Sequence, residues 1–382
     1  MFSLLLALIY LCFISLGLPD SLLGSAWPVM QNDISVPFSY AGIISMVISA
    51  GTIVSSFFSD KLVRKLGYGK MTAISVAFTA AALFGFSVSG KFYMLILWAV
   101  PYGLGAGGVD AVLNNYVALY YKAQHMSWLH CFWGVGASVS PYIMSFSLLK
   151  LSSWNMGYRI VAVIQILLSV IIFFSIPLWK TSKTEETEKT KGLSFKEILN
   201  IRGAKESFIC FFFYCGMEVT ASLWASSFLV QNRGISEETA SAFASLFYLG
   251  ITLGRAVNGF LAMRFSDKAL IRAGSLIITL GIIFVAVPVS PLSLAGFVII
   301  GLGCAPIYPC IIHMTPFVFG KENSQAMIGI QMACAYMGFL LLPPLFGVAA
   351  EHITISLLPF VLLFMLLMMI ITHEMIVKKA KN

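Results

Sequence analysis

The sequence predicts an all-α membrane protein of twelve transmembrane helices, arranged as two six-helix halves related by a pseudo-two-fold. Three observations carry that prediction. The 382 residues are 59% hydrophobic and only 10% charged, with a mean hydropathy of +0.91, far from the composition of a soluble domain. Apolar stretches of about 20 residues, each enough to cross a hydrocarbon core roughly 30 Å thick as a helix, recur from end to end. An internal repeat divides the chain in two. No alternating apolar and polar pattern marks strands, and only helices and closed barrels satisfy their backbone in lipid.

Taken in order, the predicted helices lie near 4–30, 38–60, 69–89, 92–121, 124–150 and 157–179 in the first half. Those of the second half lie near 205–231, 236–262, 268–288, 291–317, 322–347 and 352–377. The first apolar run starts at Met1 with no basic segment before it and no small-residue cleavage site, so it is read as a retained helix rather than a signal peptide. Between the sixth and seventh runs, Thr181 to Lys191 is a polar stretch of mixed charge that cannot bury a core. The expected division is therefore a first half over 1–180, a linker over 181–204 and a second half over 205–382.

Net charge is +8, which on a soluble chain would point to a polyanionic partner. Placed on the helices, the basic residues report orientation instead. Lys61, Arg64, Lys65, Lys70, Lys122, the Lys180 to Lys205 segment, Arg264, Lys268, Arg272, Lys321, Lys378, Lys379 and Lys381 fall on one side. Only Lys91, Lys150, Arg159 and Arg233 fall on the other. The positive-inside rule then makes both termini and the linker cytoplasmic, with a cell membrane as the location and no nucleic-acid partner. The seven cysteines all lie within predicted helices without metal-ligand spacing, so they read as small buried hydrophobes and no metal or cofactor is expected.

An offset of about 198 residues superimposes Asp20 on Glu218 and Gly103-Leu-Gly105 on Gly301-Leu-Gly303. A slightly larger one pairs Gly136 and Pro141 with Gly338 and Pro343. The repeat makes symmetry mates of two acids that are themselves informative. Asp20, Asp110 and Glu218 each sit inside a span, joined by Arg255 in a fourth, and a charge at the centre of a membrane helix costs roughly 2.5 to 3.5 kcal/mol on insertion scales. Such residues mark a pathway, a proton relay or a ligand site; the competing reading is interhelical hydrogen bonding, with Arg255 as a permanent counter-ion. A carboxylate in a medium of low dielectric can load a proton from one side and release it to the other. Asn114, one turn from Asp110, offers an amide that both donates and accepts. His130 is read either as a proton relay or as a satisfied buried imidazole.

Glycines 103, 105, 107 and 108 are read as a close helix contact, because no strand precedes them and no Lys-Ser/Thr follows as a phosphate loop needs. No activated nucleophile or metal set is visible, and no enzymatic activity is expected.

The turn Ser56-Phe-Phe-Ser-Asp60-Lys-Leu-Val-Arg64-Lys-Leu-Gly67-Tyr-Gly69-Lys70 resembles the signature loop of the major facilitator superfamily, with serine in place of its first glycine. Asp60 and Arg64 are spaced to pair if that turn is helical, and Gly67 permits the reversal. The equivalent stretch in the second half has Met263 where the acid would stand, so a conformational latch is expected at Asp60, Arg64 and Gly67. Gly17-Leu-Pro-Asp20, Gly107-Gly-Val-Asp110 with Asn114-Asn115, Leu129-His130, Tyr214-Cys-Gly216-Met-Glu218 and Pro306-Ile-Tyr308-Pro309 together resemble the fucose/glucose/galactose:proton symporter branch.

That resemblance implies a monomeric, proton-coupled carrier of a sugar or similar polar solute, working by alternating access. Exporter, uniporter and non-transporting sensor are the alternatives. It implies protonation and sugar recognition by the acids of the first and fourth helices, Asp20 and Asp110. Glu218, as a further intramembrane acid, completes the candidate proton-coupling set, and the candidates for a midplane substrate site are Trp27, Asn114, Asn115, His130, Tyr214, Trp224, Arg255, Tyr308 and Gln331.

Overall fold

A computed structural model of the chain describes residues 4–37, 40–179, 193–235 and 237–379. Within them the regular structure is helical. In order these are α1 (Leu4–Asp20), α2 (Leu22–Asp33), α3 (Tyr40–Leu66), α4 (Tyr68–Ser87), α5 (Phe92–Tyr120), α6 (Ala123–Leu151), α7 (Trp154–Ser175) and α8 (Phe195–Asn200). There follow α9 (Ala204–Arg233), α10 (Glu237–Leu261), α11 (Asp267–Ala286), α12 (Ser290–Cys304), α13 (Ile307–Phe319), α14 (Ser324–His352) and α15 (Leu358–Lys379).

Among the described residues, eleven spans are long and apolar enough to cross a membrane, and α10 supplies a shorter apolar stretch, Leu246–Leu261. Two predicted helices are each broken in two. The first stops at Asp20 and resumes at Leu22 as α2; the tenth stops at Cys304 and resumes at Ile307 as α13. The Thr181 to Lys191 stretch lies outside the described residues. Immediately after it, Ser194 and Glu197 close a reciprocal capping box on α8, as that pair of residue types favours.

The helices form two compact units, Met1–Tyr116 with Leu129–Leu193 and Val117–Trp128 with Ser194–Asn382. In the first unit the glycines of α5 set the spacing. A Cβ at Gly103 would lie 2.2 Å from the Ile48 carbonyl oxygen of α3, and one at Gly105 would lie 2.5 Å from the Ser75 carbonyl of α4. No side chain fits at either point. Across α1 and α6, a Cβ at Gly136 would lie 2.0 Å from the carbonyl of Ile14. The apolar core beside these contacts holds Leu18, Leu22, Trp27, Met30, Ile44, Phe86 and Tyr158.

The second unit is built the same way. Gly301 of α12 would meet the Phe247 carbonyl of α10 at 2.4 Å, Gly303 the Gly274 carbonyl of α11 at 2.8 Å, and Gly338 of α14 the Phe212 carbonyl of α9 at 2.3 Å. The three partner carbonyls stand 198 or 199 residues beyond Ile14, Ile48 and Ser75, so the repeat is a repeat of contacts as well as of letters. Val117–Trp128 belongs with this unit for a visible reason. The Asn258 amide donates to Ser127 Oγ at 2.7 Å, and the Trp128 indole donates to the Ala256 carbonyl at 3.3 Å.

Candidate functional site

Asp20 is the last residue of α1, at the helix break, directly after Pro19. Its carboxylate takes a hydrogen bond from Tyr102 Oη of α5 at 3.1 Å and another from Trp133 Nε1 of α6 at 2.8 Å. Ser21, in the break itself, is tied by its hydroxyl to the Ala137 carbonyl at 2.6 Å. Asp20 nevertheless stays exposed, and among the described residues no cation pairs with it. An acid facing lipid is costly, so the open side of this carboxylate is one that water or a polar ligand must meet.

Deeper in the same unit, Asp110 accepts from the Asn114 amide at 2.8 Å, and Asn114 Oδ1 lies 3.0 Å from His130 Nε2. All three side chains are buried, and the His130 ring stands edge-on to Phe13 at 5.3 Å. The i to i+4 spacing on α5 makes the first bond and α6 supplies the imidazole. Asn115, one residue on, points elsewhere, and its amide donates to the Tyr68 hydroxyl at 2.7 Å.

The second unit gathers a different set at its own helix break. Glu218 and Tyr214, one turn apart on α9, are hydrogen bonded to each other. The Tyr214 hydroxyl also lies 2.8 Å from the carbonyl of Cys304, the last residue of α12. Arg255 of α10 brings Nη2 to 3.9 Å from Glu218 Oε1, an ion-pair distance longer than a hydrogen bond. Ser222, a further turn along α9, accepts from the Tyr248 hydroxyl at 2.9 Å.

Other sequence-selected residues are engaged in packing. Trp27 is 2% exposed within the apolar core. The Trp224 indole donates to the Pro343 carbonyl at 3.0 Å and its ring packs on Phe346. Gln331 is fully buried, donating to Ser207 and accepting from Thr315 at 2.6 and 3.1 Å, so it binds α9, α13 and α14 together. Tyr308 is buried against Phe211, with its hydroxyl on the Met332 sulfur. The two donors on Asp20, Tyr102 and Trp133, were not singled out by sequence reasoning. The available signal was weak: each is an amphipathic aromatic in mid-span beside a glycine, rather than at a membrane interface where such rings concentrate.

At the α3 to α4 turn, Arg64 Nε bonds both oxygens of Asp60 at 2.9 and 3.0 Å. α3 runs on to Leu66, so the pair sits inside the helix rather than beyond it. Gly67, at φ +80°, then reverses the chain, a conformation that L side chains rarely adopt. Among the described residues no cluster of three or more His, Cys, Asp or Glu side chains could hold a metal ion. None of the seven cysteines is in a disulfide.

The Major Facilitator Superfamily profile matches residues 9–205 and 207–379. The glucose/mannose transporter GlcP of Bacillus subtilis is 24% identical over 367 residues, covering 91% of this chain and 88% of GlcP. In three dimensions the chain is similar to the major facilitator superfamily transporter FucP in its outward conformation, with a TM-score of 0.81, 16% identity and coverage of 97% of this chain and 98% of that one. The proton:xylose symporter XylE, solved with 6-bromo-6-deoxy-D-glucose bound, gives 0.79 at 11% identity, covering 98% and 95%.

Proposed function

From membership of the major facilitator superfamily, to which this chain belongs, we propose that it is a proton-coupled symporter of a sugar or a similar small polar solute, working by alternating access in a cell membrane with both termini in the cytoplasm. That it is a transporter and not an enzyme follows from the family itself. The sugar is supported by the named substrates of GlcP and by the symporters that share the fold. The single observation that carries the coupling is Asp20: an accessible carboxylate at a helix break, fixed by two neutral donors and, among the described residues, without a cation. Such an acid gains a proton without breaking an ion pair.

In this reading Asp20 binds the coupling proton, and its open face accepts a substrate hydroxyl. Asp110, Asn114 and His130 form a buried chain along which the proton is held or passed on. Discontinuous helices place such groups at membrane depth because the break frees backbone polar groups beside them. Asp60, Arg64 and Gly67 form the conformational latch, and the carrier works as a monomer.

Purified protein in liposomes tests the proposal. Radiolabelled glucose should accumulate under an inward proton gradient, and Asp20→Asn should abolish that accumulation while leaving gradient-free exchange. Uptake that ignores both the gradient and the substitution would remove the coupling assignment.

A further inference from the structure

The Tyr214 hydroxyl has one hydrogen and two oxygens within reach, Glu218 Oε2 and the carbonyl of Cys304. A carbonyl only accepts, so at 2.8 Å from Cys304 the hydroxyl must be the donor there. Its bond to Glu218 is then complete only if Glu218 carries a proton of its own and donates it. When Glu218 is ionised, the hydroxyl must instead turn to the carboxylate and leave the Cys304 carbonyl.

We propose that Tyr214 is a two-position switch that ties the proton on Glu218 to the break between α12 and α13, and so makes Glu218 a second proton site. The step is balanced. One proton passes from water to Glu218 Oε2, the new O–H bonds the Tyr214 oxygen, and the Tyr214 hydrogen rotates to Cys304 without leaving its oxygen. Cys304 can receive it because it ends α12, where the helical ladder stops and the last carbonyls lack intrahelical donors. Glu218 keeps a side-chain exposure of 14% through which the proton enters, whereas Tyr214 is fully buried.

The surroundings allow both states. Arg255, at 3.9 Å, offsets the charge of an ionised Glu218 without occupying the position of its proton. The other titratable groups facing the pair are Cys215 on α9, Tyr248 on α10 through Ser222, and Cys304 itself. The helix α14 presents Leu342 against Gly216 and carries no acidic or basic residue before Glu351; α15 carries none before His373. Tyr214 is accordingly a positioning residue that acts through Glu218.

Infrared difference spectra across a pH step test this on the whole protein in lipid. A protonated-carboxyl band should appear that Glu218→Gln removes, and Tyr214→Phe should move the band, because its hydrogen-bond partner is gone. A fluorinated tyrosine at 214, which changes O–H acidity at nearly constant shape, should move it too and guards against a Phe variant that fails to fold. In transport, Tyr214→Phe should lower gradient-driven uptake roughly fivefold, the worth of one hydrogen bond, and flatten its pH profile. A tyrosine that only packs would lower thermal stability and leave the band in place. If Glu218→Gln removes no band, or neither change at 214 moves it, the switch is refuted. The inference rests on the proton-coupled reading, but the infrared arm needs no sugar. Its failure beside intact Asp20-dependent uptake would refute the switch alone, and a surviving band without gradient-driven uptake would refute the transport reading alone.

Discussion

Asp20 and Glu218 occupy equivalent places in the repeat, yet their surroundings differ in kind. Asp20 is exposed and held by two neutral donors from helices distant in sequence. Glu218 is largely enclosed, with a tyrosine on its own helix and an arginine on the next. A carboxylate bound only by neutral groups can lose its charge and keep its geometry. One facing a buried guanidinium leaves that cation less compensated when it takes a proton, so its protonation has to be tied to a rearrangement beside it, here the turn of the Tyr214 hydroxyl. Equivalent positions in the repeat thus hold two acids in different settings, one open and bound by neutral donors, the other enclosed and facing a cation.

The most drastic way to break this comparison is to neutralise each acid in turn. Asp20→Asn should reduce gradient-driven uptake to the level of empty liposomes, because nothing else described at that break can carry the proton. Glu218→Gln should leave measurable uptake. Equal losses in the two variants would erase the distinction.

Next in size is the cation. Arg255→Met removes the charge facing Glu218 and should destabilise the protein by about 3 to 5 kcal/mol, the usual cost of breaking a buried pair. Thermal unfolding in detergent measures it. Arg255→Met combined with Glu218→Gln should recover most of the loss. Arg255→Met alone should leave Asp20-dependent coupling intact in whatever fraction folds.

A smaller effect separates two tryptophans of the first unit. Trp133→Phe keeps an aromatic ring but removes a hydrogen bond to a carboxylate, worth about 1.5 to 3 kcal/mol, so gradient-driven uptake should fall roughly tenfold or more with little change in melting temperature. Trp27→Phe should do the opposite, because that indole fills the core: lower stability, and unchanged uptake per folded molecule.

These tryptophans also mark the boundary of what the sequence makes legible. Features set by local spacing are readable: Asp60 with Arg64 and Asp110 with Asn114 are i to i+4 pairs, and both bonds form. The glycine repeat is readable because only an absent side chain allows backbones to approach so closely. Trp27 is not, because helical periodicity counted from Asp20 fails once the helix stops at Ser21, and the residues beyond enter the apolar core. Asn115 shares its type with Asn114 but lies about 100° further round the helix, where Tyr68 takes its amide. Tyr102 and Trp133 reach Asp20 across 82 and 113 residues, and no local pattern encodes such contacts.

The finest test asks whether the two donors on Asp20 are equal. The indole bond is the shorter, 2.8 Å against 3.1 Å for the hydroxyl, and an indole N–H can only donate, whereas the Tyr102 hydroxyl can turn and accept. Trp133 should therefore fix the carboxylate, and Tyr102 should follow its protonation. Tyr102→Phe is expected to cost only about 1 kcal/mol, a loss of roughly fivefold in gradient-driven uptake. Adding it to Trp133→Phe should cost less than the sum, because both donors serve one carboxylate. Fully additive losses would mean that the two aromatics act on separate steps, and that Asp20 is not the point at which they meet.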